Sequence, residues 1–200
     1  MADKIKIEIY RKKEFGELTK ALADPESRLE TGSGAAATAA VAAALFSRAA
    51  AISAKAAGEN ERLDYLARNA EIMREYMVHL VDEDVKCRGP LRRAKQEGDE
   101  RKIEAASQTA AAVCAEIINM MGKQLELLEE LAGLCTEDSA HFVAGAADLS
   151  IGTTKAAMRY VVDLSKASSD DTYRYVVRRE NEITLEQMTA IYDRVLERLK

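Results

Sequence analysis

Residues 31–58 read TGSGAAATAAVAAALFSRAAAISAKAAG. From Ala35 to Ala57 fourteen positions are alanine and none is glycine or proline, a composition that predicts one unbroken helix stopped by Gly58. Alanine has the best helix propensity but buries little area, so such a helix gains by letting neighbouring backbones come close. It is therefore expected to lie inside a bundle, enclosed by bulkier helices, and its flat face also suits a seam between two subunits. Gly32-Ser33-Gly34 reads as the turn that leads into it.

The flanking sequence supplies the enclosing helices. Upstream, Lys4–Ile9 alternates polar and apolar residues as a short extended entry, and Phe15, Leu18 and Leu22 recur at helical spacing until Asp24-Pro25. Downstream, an apolar stripe runs from about Asn60 through Leu63, Leu66, Ala70, Met73, Met77 and Leu80 to Cys87, where Gly89-Pro90 breaks it. After a solvated stretch from Arg92 to Arg101, a helix of some thirty residues carries Ile103, Val113, Ile117, Met121, Leu125 and Leu128 toward Gly133. These two leucine and methionine rows are the expected neighbours of the alanine helix. Thr136 is the predicted N-cap of a further helix through Val143, Ile151, Met158 and Val162. Thr184 and Gln187 have the spacing of a capping box, which predicts that the last helix starts there and presents Met188, Ile191, Tyr192, Val195, Leu196 and Leu199 on one face. The expectation is an all-α, single multi-helix bundle over residues 1–200 with a buried alanine-rich helix.

Of the 200 residues, 48% are hydrophobic and 32% charged, a globular composition with a formal net charge of −5. That charge supplies no overall cationic field, so nucleic acid is not an expected partner. The longest low-charge run, Gly32–Ser47, is shorter than the roughly 20 residues needed to cross a bilayer, and no membrane span is expected. Residues 1–10, MADKIKIEIY, are charged throughout and lack the apolar centre of a signal peptide. Three widely spaced cysteines, Cys87, Cys114 and Cys135, fit a reducing compartment better than a disulfide framework. A cytoplasmic protein is expected.

Few segments carry chemistry. The amides of Gly32-Ser33-Gly34, at the positive end of a helix, read either as ordinary capping or as a surface for a polar ligand edge; the turn lacks the spacing and lysine of a P-loop. Asp82, Glu83 and Asp84 are consecutive on a helix and point in three directions. They are either a solvated helix end with Asp82–Lys86 and Asp84–Arg88 pairs, or they place one carboxylate inside. Asp148, Lys155, Arg159, Asp163 and Lys166 share a stripe that is either a surface ion-pair ladder or the charged wall of a cleft. His79 and His141 lie in different helices and no histidine or cysteine pair has zinc-site spacing, so no metal is expected. Cys114 and Cys135 read as small core residues.

Taken in order, these segments resemble the cyclodeaminase/cyclohydrolase family of folate enzymes. Its glycine-rich turn into an alanine-rich helix is matched by Thr31-Gly32-Ser33-Gly34-Ala35, its Leu-Ile-Asp-Glu-Asp segment by Leu80-Val81-Asp82-Glu83-Asp84, and its long helix by Ile103–Ile117. The chain departs from the pattern where Thr31 replaces the turn proline, Ser33 the middle glycine, Arg88 an aromatic residue and Arg159 an asparagine, and where Ala140-His141-Phe142-Val143 replaces a Ser-Asp-Ala-Gly helix start.

The resemblance implies a homodimer acting on tetrahydrofolate derivatives without a cofactor, either closing the 5-formimino compound with loss of ammonia or opening the 5,10-methenyl ring with water. Both are proton-transfer problems, which makes Asp84 the first and Asp82 the second acid/base candidate, with His141 standing in for a missing carboxylate. Glu83 is expected to face solvent. Gly32, Ser33 and Gly34 would meet the pterin, while Arg88, Arg92, Arg93 and Lys95, with Lys155 and Arg159, would meet carboxylates of the ligand. Asp84→Asn is expected to abolish turnover and leave the thermal transition nearly unchanged. The alternative is a family paralogue that binds folate or another ligand without turnover, or a structural helical subunit.

Overall fold

The computed structural model describes residues 9–200, so the expected extended entry from Lys4 lies almost wholly outside the described residues. A short 3-10 turn, Tyr10–Lys12, precedes seven helices: α1 (Phe15–Ala23), α2 (Thr31–Ala57), α3 (Glu61–Cys87), α4 (Gly89–Glu97), α5 (Glu100–Ala132), α6 (Glu137–Ser165) and α7 (Asp171–Arg198). No strand occurs among the described residues.

The alanine helix lies in the middle, as expected, but one of its two main neighbours differs. α2 packs along α3 on one side and along α6 on the other, and touches α5 far less. Chemistry accounts for this. α6 buries Ala146 and Ala147 and sets Gly145 beside Leu45 of α2, and two small-residue surfaces bring their backbones together where the leucines of α5 would hold them apart. The leucine and methionine rows then fill the remaining volume, with Phe46, Met77, Ile117, Met121 and Leu125 fully buried in one cluster. Continuing through Arg48, α2 is 27 residues long and by length and composition apolar enough to cross a bilayer, where the low-charge run alone looked too short. Half of its most apolar window is buried against its neighbours.

Three boundaries move. Gly32-Ser33-Gly34 is the first turn of α2 rather than a turn before it, because Glu30, in extended conformation, occupies the N-cap position. Residues 92–101 are mostly exposed, as expected, but most of them are helical, in α4 and the first turn of α5. Pro90 sits in the first turn of α4, where its missing N–H costs nothing, and Leu91 buries against Ala106, Ala110 and Leu164. α7 begins at Asp171, not near Thr184: the Asp170 carboxylate accepts from the amides of Thr172 and Tyr173, and nothing between 172 and 183 breaks the helix. Thr136 does occupy the N-cap position of α6, but its hydroxyl caps no amide. Gly58 ends α2 at φ 73°, a left-handed φ that favours glycine.

Candidate functional site

The close α2–α3 contact brings the first turn of α2 against the last turns of α3. Asp84 is fully buried there, pressed onto Gly32. A Cβ on Gly32 would stand 2.6 Å from Asp84 Cγ and 2.9 Å from Oδ2, and nearer still to Oδ1, so the approach requires glycine. The Ser33 hydroxyl donates to Asp84 Oδ2 at 2.8 Å. Arg88, one turn on from Asp84, donates from Nε to Oδ1 at 3.2 Å and pairs through Nη1 with Glu30 Oε2 at 3.0 Å. Its guanidinium lies 4.2 Å from the centre of the Tyr160 ring, contributed by α6.

Of the two readings of the acidic segment, the buried-carboxylate one describes Asp84, and the Asp84–Arg88 pair exists as part of it. The expected Asp82–Lys86 pair does not form; Lys86 reaches Glu83 at 2.6 Å instead, on the partly exposed side of α3. That hydrogen bond holds the Glu83 carboxyl below its ordinary range. Asp82 is buried too, but it is occupied elsewhere. Its Oδ1 accepts from the amides of Tyr10 and Arg11, and Oδ2 faces Arg11 Nε at 3.4 Å. Asp82 thus anchors the 3-10 turn on α3, and its carboxylate is not among the groups around Asp84.

Electrostatics follow from burial. Arg88 is only 3% exposed; desolvation works against its charge, and Asp84, Tyr160 and Glu30 more than offset it, so its pKa rises. Burial pushes the Cys114 thiol up to about 12, with the Asp84 charge adding to the shift and Arg88 opposing it, which keeps this cysteine a neutral core group. Burial likewise raises the Tyr160 hydroxyl, again opposed by Arg88. One donor of the network is unmet: Arg88 Nη2 is buried without a partner.

Two clefts flank this buried centre and share Glu30. The smaller, about 190 Å³, is lined by Glu30, Arg88, Arg92, Lys95 and Tyr160 with Asp163 and two leucines. The larger, about 570 Å³, runs between α2 and α6 along Thr31, Gly34, Ala35, Thr38, Gly152, Thr153 and Ala156. Gly32, Ser33, Gly34, Asp84, Arg88 and Arg92 are therefore brought together. His141 is not: it is exposed, its ring tilted 39° against that of Phe142 with centroids 3.9 Å apart, and about 18 Å along α6 from Thr153 at the usual helical rise. Lys155 and Arg159 are exposed and line neither cleft, and the stripe they belong to is solvated, with Lys166 paired to Asp163 at 2.8 Å. Arg93 opens onto a separate cleft with Pro90 and Thr109. No group of three His, Cys, Asp or Glu side chains suited to a metal occurs among the described residues.

Glu30, Thr153 and Tyr160 were missed by the sequence reading. Glu30 had a signal in its position just before the glycine turn. Thr153 and Tyr160 are seven apart on α6, the spacing of one helix face, but fell beside the charged stripe that drew attention.

Comparison with known proteins agrees with the architecture. The sequence profile described as formiminotransferase-cyclodeaminase matches residues 14–182. The fold is similar to the crystal structure of formiminotetrahydrofolate cyclodeaminase from Thermotoga maritima, with a TM-score of 0.85 at 23% sequence identity, over 94% of this chain and 96% of that one. No curated protein matches by sequence.

Proposed function

For a chain that belongs to the formiminotransferase-cyclodeaminase family, we propose an enzyme that acts on a tetrahydrofolate one-carbon derivative at the Gly32–Asp84 junction. The observation that carries this reading is a buried carboxylate, Asp84, held by Ser33 and Arg88 at the start of α2 and flanked by two clefts.

Two reactions suit that arrangement. In cyclodeamination the N10 nitrogen attacks the formimino carbon, the N10 proton leaves, and the exocyclic nitrogen gains the protons it needs to depart as ammonia. In hydrolysis water adds to the methenyl carbon and releases one proton, and as the N5–carbon bond breaks the remaining hydroxyl proton is lost and N5 takes a proton, which leaves the 10-formyl product. Each passes through a tetrahedral carbon between N5 and N10, and each needs a group that moves protons beside a cationic centre. Asp84 is the residue we assign to that task. Ser33 fixes one of its oxygens, and the positive end of α2 favours its charge. Arg88 covers it, so reaction requires Arg88 to turn away toward the smaller cleft, where Arg92 and Lys95 would meet the ligand's carboxylates. Proton transfer alone serves both reactions, and the reading calls for no metal or redox group. A homodimer in the cytoplasm belongs with it.

One observation favours a second reading. Asp84 has no exposed surface and is neutralised by Arg88, which suits a family member that binds its ligand without turnover. Absorbance assays of 5-formimino-tetrahydrofolate conversion and of 5,10-methenyl-tetrahydrofolate decay, with purified protein, decide between the two. Turnover of either compound, lost in Asp84→Asn, is the expected result. Tight tetrahydrofolate binding with neither activity would replace the enzyme by the binding protein, and neither binding nor activity would leave only a structural helical subunit.

A further inference from the structure

We infer that Arg11 and His79 form a proton-operated latch, which holds the N-terminal 3-10 turn on α3 while the imidazole is neutral and loosens it when the imidazole takes a second proton. The inference lies outside the folate site and does not depend on the folate reading.

The turn Tyr10–Lys12 packs mainly on α3, and its fastenings there are few. The Tyr10 and Arg11 amides donate to Asp82 Oδ1 at 2.8 and 3.3 Å, and the Tyr10 side chain is buried. The Arg11 side chain adds two more: Nε faces Asp82 Oδ2 at 3.4 Å, and Nη1 donates to His79 Nδ1. His79 and Asp82 are three residues apart on α3, so one face of the helix presents both to the guanidinium.

The partners of His79 select one protonation state. A guanidinium carries donors only, so Nδ1 offers its lone pair to Arg11. The single proton of the neutral ring then sits on Nε2, which donates to Glu83 Oε1 at 3.2 Å. A second proton has only Nδ1 to occupy. It removes the acceptor that Arg11 uses and sets a cation against the guanidinium, so Arg11 is left with Asp82 alone.

The other charged groups keep their places through this change. Glu83 is paired with Lys86 at 2.6 Å, a bond that holds its carboxyl below the ordinary range, so it stays an anion on mild acidification and remains the partner of the imidazolium. Asp82 and Lys86 lie beyond it on α3, and from α5 Glu116 approaches Tyr76, one turn before His79. The docked turn thus takes up fewer protons at His79 than the released one, and docking weakens as pH falls.

Hydrogen exchange of the Tyr10 and Arg11 amides reads this directly, each rate being divided by that of an unstructured chain at the same pH. Both side chains of the latch are partly exposed, 35% for Arg11 and 45% for His79, so the effect is a modest one. Protection is expected to fall about fivefold from pH 7.5 to pH 5.5, an interval in which imidazole changes charge. His79→Gln offers Arg11 a carbonyl acceptor that does not titrate, and its protection should stay level across the same interval. Circular dichroism of the variant at both pH values checks that the bundle is intact. Level protection in the parent protein would overturn the latch. So would a fall that persists in His79→Gln, which would put the titration on another group, such as Asp82.

Discussion

At its two ends α2 meets its partners by different chemistry. The N-terminal end is tied to α3 by charge, with Asp84 buried between Ser33 and Arg88 and Arg88 shared with Glu30. The C-terminal end is tied to α6 chiefly through the Ser53 hydroxyl, which donates to Ala49 O at 2.9 Å, meets Ser139 Oγ at 2.9 Å and accepts from the Thr136 amide at 3.3 Å, while Arg48 lies over the Phe142 ring at 4.6 Å. Both networks are buried and both fix the helix. Only the first places groups that carry or move a proton beside open clefts. A neutral hydroxyl network is a cheaper fastening, because neither partner loses the hydration of an ion. Keeping ions buried at one end costs desolvation that a neutral network avoids, and this is the physical ground for proposing that end as the functional one.

The comparison breaks most readily at Asp84. Asp84→Asn leaves Arg88 buried with less than its full counter-charge, and we expect about 3 kcal/mol of lost stability, roughly 6–12 °C in the unfolding midpoint for a chain of this size. Under the proposed folate reading, turnover should fall about 10² to 10⁴-fold. Unchanged turnover would remove Asp84 from the proton transfer, and an unchanged midpoint would show that the fold does not rely on the ion pair. Gly32→Ala comes next. Its methyl group has no room beside Asp84, and the rearrangement should cost about 2 kcal/mol by thermal or denaturant unfolding. Gly34→Ala is the control: its Cβ would meet only Leu22 at 3.6 Å, so the midpoint should hold or rise. Equal losses in both would mean that helix-start glycine, not the Asp84 contact, is what matters.

The sequence made the scaffold legible because periodic apolar rows and glycine or proline breaks report on local structure. The alanine helix, the stripe from Leu63 to Leu80 and the long helix to Ala132 were all readable this way. The start of the last helix was not. Asp170 is one of two adjacent aspartates after two serines, while Thr184-x-x-Gln187 has a capping pattern in mid-helix, and which one caps depends on whether anything ends the helix between them. The site was half legible. Asp84, Gly32, Ser33 and Arg88 stood out, but the pattern could not say that Arg88 turns inward onto Asp84, nor that Asp82, two residues away, turns to the Tyr10 amide. Adjacent acidic residues point to different partners, and only the packing of α2 and the 3-10 turn selects among them. The pairing also argues against the expectation that Asp84→Asn leaves stability nearly unchanged, since the Asp84–Arg88 pair, weighed in the sequence only as a solvated one, is buried.

Ser53→Ala probes the other end of α2 and should give the smallest effect. The substitution removes the acceptor for the Thr136 amide and a partner of Ser139, a loss of about 1–2 kcal/mol. Alanine returns about 0.5 kcal/mol through its better helix propensity. Ser139 keeps its bond to Thr136 O at 3.0 Å, so the α5–α6 connection stays partly fastened. The net change is about 1 kcal/mol, roughly 2–4 °C in the midpoint. Because no charge is involved, the difference from the parent protein should be the same at pH 5 and pH 8, and ligand binding at the far end of α2 should not move. A pH-dependent loss, or weakened binding in this variant, would mean that the two ends of α2 are coupled through the alanine helix and that the neutral end is not merely a fastening.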